Sequence, residues 1–169
     1  MAINLKNFDS TGGFSVGRTQ IVDELQNFEN INTLKVQNSN FTNSSTTKYI
    51  LSGLNTGVLS LDGGSEQIIL PNNTINFITG TIAASNETGG GFYLVKIEAS
   101  VSVNSVGNVS SLGQLTTVIR DTIPTGQEWD ITVFDTGADN RFSFNTTRTG
   151  TTNIIKWVAS TEVVSIDWS

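Results

Sequence analysis

The sequence contains no cysteine and no histidine. Without cysteine there is no disulfide framework, so the fold needs no oxidising compartment. Without histidine no Ser-His-Asp triad assembles, and no Cys/His cluster can hold zinc. Charge is scarce at 14% of residues, and its balance is acidic, with 15 Asp and Glu against 9 Lys and Arg. A net charge of -6 argues against a surface that tracks phosphates and against binding to anionic membranes. The opening Met1-Ala2-Ile3-Asn4-Leu5-Lys6 lacks the apolar run of a signal peptide, and no window approaches a membrane span. The expectation is a soluble protein made in a cytoplasm, with neither nucleic-acid nor membrane partners.

What is abundant points to β-structure. Ser, Thr and Asn make up about a third of the 169 residues. Their side chains compete for backbone hydrogen bonds, which disfavours helices and favours turns. A chain of this length folds as one domain, or one domain plus an arm, and buries roughly 70% of its unfolded surface. Six Asn-x-Ser/Thr sequons are chance matches in so Asn-rich a chain.

Residues 1–47 read as an N-terminal arm. Within it, 18–30 is the one helix candidate, with Ile21, Leu25 and Phe28 on one face, Val22 beside them, and Asp23 and Glu24 in the early turns. An extended arm would use the same apolar residues as anchors. The polar run 37–47 marks the boundary, and 48–169 reads as strands throughout. Asp62-Gly63-Gly64 between apolar runs signals a hairpin. From Phe92 to Val103, Tyr93, Val95, Ile97, Ala99, Val101 and Val103 point one way, while Lys96, Glu98, Ser100 and Ser102 point the other. Residues 114–121 form a further strand, and three C-terminal runs complete an antiparallel β-sandwich, jelly-roll-like in type.

The apparent chemical motifs lack their partners. Gly13-Phe14-Ser15-Val16-Gly17 matches the nucleophile elbow, but that turn needs a preceding strand and a histidine. Asp135-Thr136-Gly137-Ala138-Asp139-Asn140 bunches oxygen ligands, yet no glutamate follows at the spacing a calcium loop needs, and Asx-turns explain the run. Gly89-Gly90-Gly91 lacks the lysine and strand–helix context of a phosphate loop. No cofactor and no catalytic residue are expected. Trp129 and Trp157 lie in alternating strands and read as core. Trp168, near the end, reads as an interface or packing residue.

The C-terminal runs are Trp129-Asp130-Ile131-Thr132-Val133, an Asp/Asn-rich turn at 135–140, Phe142-Ser143-Phe144, a turn at Gly150, and Ile155-Lys156-Trp157-Val158-Ala159. Taken in order, with the strands at 75–84 and 91–103, they resemble the C-terminal β-domain of tailed-phage virion structural proteins, of the tail-fibre tip, spike or head-decoration type. The resemblance covers about 74–166 and implies a non-enzymatic virion protein, commonly homotrimeric, whose motif residues are architectural. The short stretch ahead of the β-domain favours a short appendage or decorating subunit over a long fibre. On this reading the arm docks on other virion proteins through Ile21, Val22, Leu25, Phe28, Ile31 and Leu34. Recognition, with a host-surface glycan as the alternative function, falls to the turns 135–140 and 147–153, and so to Asp135, Asp139, Asn140 and Arg148.

Overall fold

A computed structural model describes residues 14–16, 19–22 and 33–169, apart from 136 and 138. The chain divides into two units, Met1–Asn32 and Thr33–Ser169. In the first, β1 (Phe14–Val16) and β2 (Thr19–Val22) pair as an antiparallel hairpin. This corrects the helix expected over 18–30 where that segment is described. Thr19 to Val22 is strand, because β-branched Thr, Ile and Val fit a pleated pair better than a helix. Leu25, Phe28 and Ile31 lie outside the described residues. Ser15 of the elbow-like motif sits within β1 opposite Gln20.

The second unit holds β3 (Thr33–Val36), β4 (Ser44–Leu54), β5 (Gly57–Val58), β6 (Ile68–Ile69), β7 (Thr74–Asn86), β8 (Phe92–Val103), β9 (Val109–Asp121), β10 (Glu128–Asp135), β11 (Arg141–Thr149) and β12 (Ile155–Asp167). One antiparallel sheet of six strands runs in the order β3-β4-β12-β7-β8-β9. The other runs β10-β11-β5, with β6 also paired to β11. The unit is an all-β antiparallel sandwich. The expected boundary at 47/48 falls inside β4. The polar run before it is not a linker, because Ser44 to Thr47 pair with β12 and β3 pairs with β4.

Period-two patterning sets the layers. Along β7 buried and more exposed residues alternate from Thr74 to Asn86, and β8 and β12 do the same. Their inward residues meet Ile131, Phe142 and Phe144 of the smaller sheet in one core, with Trp129 and Trp157 buried among them. Tyr93 and Trp157 pack edge to face with centroids 6.3 Å apart, as do Phe142 and Phe144 at 5.5 Å. Gly80 of β7 faces the Phe144 ring of the smaller sheet at close range. A Cβ there would stand 2.6 Å from Cζ of Phe144, so only glycine leaves room for that ring.

The hairpin expected at Asp62-Gly63-Gly64 is a different object. Val58 pairs with Asn145 and Ile68 with Phe142, so β5 and β6 run in the same direction along one edge of β11. The residues between them form an excursion closed by the Leu61 N–H donating to the Glu66 carbonyl at 2.8 Å. Asp62 Oδ1 accepts from the amides of Gly64 and Glu66, and these bonds hold its carboxyl below the usual range.

Candidate functional site

Three surfaces remain once the core is assigned. The first is the outer face of the six-stranded sheet. Directly opposed residues share a face, so the register reads out its rows. Val36, Thr46, Val164, Phe77 and Ser100 form one, and Ser44, Ile166, Ile75 and Ser102 form the next. Phe77, Val164, Ile75 and Ile166 are 44–52% exposed. A polar band follows, with a Lys48–Glu162 ion pair at 3.4 Å and a Lys96–Glu98 pair at 2.9 Å. Beyond it Leu94, Ala83 and Val158 line up across β8, β7 and β12.

The second surface is β9. It closes one end of the sheet, and no strand among the described residues pairs with its outer edge. Every residue of the strand after Val109 is exposed, including Leu112, Leu115, Val118 and Ile119. Its inward-facing Val118, opposite buried Val95, is exposed too, so the smaller sheet does not reach over β9.

The third is a cleft of about 540 Å³ at the mouth of the sandwich, lined by Tyr49 of β4, Ser65, Glu66 and Gln67 of the excursion, Ile69 of β6 and Arg141 of β11. The half-buried Tyr49 hydroxyl is pushed above its ordinary pKa by desolvation, against a lowering hydrogen bond with Thr47. Gln67 Oε1 is buried and has no hydrogen-bond partner among the described residues. A buried acceptor without a donor costs about 1–3 kcal/mol unless something supplies one. The cleft therefore offers a flat ring, a carboxylate and a guanidinium, with the enclosed Gln67 Oε1 behind them.

The residues expected to matter are scattered. Val22 is half-buried on β2 beside Ile21, in the first unit. Leu34 lies on β3 opposite Lys48 and is 48% exposed, so it belongs to the outer sheet face rather than to an arm. Asp135 ends β10 opposite Phe142. Asp139 is exposed at φ 64°.

Asn140 is a clamp. Its amide donates to the Gly107 carbonyl at 2.8 Å, its Nδ2 donates to the Leu70 carbonyl at 2.9 Å, and its own carbonyl accepts from the Leu70 amide. That bonding ties the 135–140 turn to the β8–β9 turn and to the residue after β6. Arg148 is not in a loop. It lies on β11 opposite the buried Trp129, and its Nη1 is enclosed without a partner among the described residues. Trp168 is 50% exposed, with its amide donating to the Asn73 carbonyl.

Sequence reasoning misses Tyr49, Glu66, Gln67 and Arg141, because they meet only through β11 pairing with β6. It takes 114–121 for an ordinary strand, although apolar residues at 112, 115, 118 and 119 break the period of two that a single buried face requires.

Comparison with known proteins finds no protein-family model and no curated protein that matches. Among solved structures, the chain is similar to the tailspike protein gp49 from Acinetobacter baumannii bacteriophage Fri1, a capsular polysaccharide depolymerase. The TM-score is 0.43 at 12% identity, and the match covers 81% of this chain and 20% of that one. The chain therefore spans about a fifth of that protein's length.

Proposed function

We propose that this chain is a non-enzymatic structural subunit of a tailed-phage particle, a short fibre, spike or capsid-decorating protein. Its N-terminal unit attaches to other virion proteins and its β-sandwich is displayed on the particle. The observation that carries the reading is the outer face of the six-stranded sheet. Two adjacent rows of large apolar side chains there, Phe77–Val164 and Ile75–Ile166, stand about half exposed. Contiguous apolar surface of this kind marks a contact with another protein. The resemblance of the C-terminal runs supplies the setting. Ile21, Val22, Leu25, Phe28 and Ile31 are the proposed attachment residues of the N-terminal unit, and Leu34 joins the sheet face. Removing residues 2–32 is expected to leave a soluble sandwich that no longer enters particles, measured by immunoblot of purified virions. Normal incorporation would sink the attachment role.

A second reading, recognition of host-surface carbohydrate, is favoured by the cleft at Tyr49. Sugars present C–H faces that pack on a ring such as Tyr49 and hydroxyls that hydrogen-bond to a carboxylate and a guanidinium such as those of Glu66 and Arg141. On a glycan array the full chain is expected to show selective binding, weakened at least tenfold by Tyr49→Ala and by Arg141→Ala. Absence of binding at high protein concentration would remove this reading without touching the first.

A further inference from the structure

We propose that the outer edge of β9 pairs, antiparallel and in register about Leu115, with β9 of a second copy of this chain, so that the six-stranded sheets of two molecules join into one.

An exposed strand edge is a template for another strand, and folded proteins blunt it with charge, proline, bulges or short length. β9 runs 13 residues, about 43 Å at the usual rise. Its sequence Val109-Ser110-Ser111-Leu112-Gly113-Gln114-Leu115-Thr116-Thr117-Val118-Ile119 carries neither charge nor proline before Arg120 and Asp121. It has two register shifts against β8, where Leu112 and Ile119 are the extra residues. They flank a regular run, Gly113 to Val118, rather than interrupting it, so the middle of the edge stays open to a partner. The opposite edge of the sheet is unlike this one, since β3 is only four residues long.

The strand is complementary to itself. Pairing about Leu115 sets Leu115 against Leu115, Leu112 against Val118, and Gly113 against Thr117. Centring on Gln114 or Thr116 instead sets Leu115 against Gly113 or Thr117, and apolar residues no longer meet. A centre between two residues would oppose the outer face of one copy to the inner face of the other. Charge selects the direction. Arg120 and Asp121 sit together at one end, so antiparallel pairing carries the two copies' charges to opposite ends, whereas parallel pairing stacks like on like. Exposed Val118 and Leu112, which the smaller sheet leaves uncovered, would then be covered by the second copy. About the two-fold at Leu115 the regular pairing spans Gly113 to Thr117, about 17 Å, with the apolar residues at 112 and 118 extending the contact, so the interface lies at the small end of specific ones. The dimer is therefore concentration-dependent. A two-fold contact closes at two copies, in contrast to the trimer that the family resemblance implies. It stands whether or not the chain is a virion subunit.

The absence of cysteine makes the register directly testable. Directly opposed residues in an antiparallel pair have Cα atoms about 4.5–5.5 Å apart, within disulfide reach. In the full-length chain Leu115→Cys is expected to form a disulfide dimer on mild oxidation. Gly113→Cys and Thr117→Cys are each expected to stay monomeric on a denaturing gel but to cross-link when mixed. All three positions are exposed, and a Cβ at Gly113 meets nothing within 4 Å, so the variants fold. By sedimentation equilibrium the unmodified chain is expected to run as a concentration-dependent dimer, and Leu115→Lys to weaken it at least tenfold. A chain monomeric throughout the accessible concentration range, a trimer without the Leu115→Cys cross-link, or a dimer linked instead through Leu34→Cys on the far edge would each overturn the proposal.

Discussion

Asn55 shows how much one side chain can settle. It sits at φ 60° between β4 and β5, in the left-handed region that Asn tolerates better than most residues. Its amide donates to the Ile155 carbonyl at 2.8 Å, and its Oδ1 accepts from the Ile155 amide at 3.0 Å. Its carbonyl takes both the Trp157 indole N–H and the Thr146 hydroxyl at 2.9 Å. Strands β4, β11 and β12 thus converge on one residue. Asn55→Ala removes the Oδ1 acceptor, at about 1–3 kcal/mol, and keeps a Cβ at positive φ without the local polar side chain that lets Asn tolerate that region. Asn55→Gly loses the same acceptor but relieves the left-handed strain, about 1 kcal/mol. Alanine is therefore expected to be the more destabilising of the two in urea melts, and equal midpoints would show that the backbone conformation carries no cost. Nothing local to the chain signals this role. Asn55 belongs to a Gly/Asn/Thr turn like several others, and its partners lie 91 to 102 residues away.

At the scale of elements, legibility tracks how completely one face is buried. β8 is readable because buried positions from Tyr93 to Val103 repeat at two without a break. Adjacent residues on β7 turn that pattern into a measurement. Ile78 is fully buried and Phe77 is half exposed on the opposite face. Ile78→Ala is expected to cost about 2–5 kcal/mol through lost burial and a cavity. Phe77→Ala is expected to stay under about 1 kcal/mol in the isolated chain, despite the larger side chain removed. Thermal melts of the two variants check this, and comparable losses would mean that the outer face is covered within the molecule. β9 is harder to read because both of its faces are exposed, so hydrophobic alternation has nothing to record. The short apolar stripe at 18–30 suits a helix as well as a strand, and Thr19–Val22 joins the hairpin with β1 because a pairing partner is at hand. Asp62-Gly63-Gly64 resembles a hairpin turn because local sequence marks a reversal. It does not reveal that the chain resumes its course along β11.

At the scale of the molecule the pairings are long-range. β4 pairs with β12 from Ser44–Ile166 to Leu54–Lys156, closing loops of more than a hundred residues. Loop-closure entropy must be met before such contacts form, so folding is expected in the range of milliseconds to seconds. Stopped-flow refolding followed by the buried Trp129 and Trp157 measures it, and a microsecond phase carrying the full amplitude would contradict the topology. The same architecture leaves one sheet wider than the other. Among the described residues, the smaller sheet covers one face of the six-stranded sheet and does not reach over β9, which leaves the apolar outer rows and the β9 edge exposed.

The sequence by itself determined the fold class, the antiparallel alternation and the core role of Trp129, Phe142, Phe144 and Trp157, because period two and turn chemistry are local properties of the chain. Composition alone, through the missing histidine and cysteine, also ruled out triad and Cys/His zinc chemistry. Only the tertiary structure decided which turns are clamps, as at Asn140, and which residues meet in the cleft at Tyr49 and Arg141. It alone showed which strand, among the described residues, ends the sheet without a partner. Those depend on which strands pair across long separations, and pairing partners are chosen by the whole core at once rather than by any segment of it.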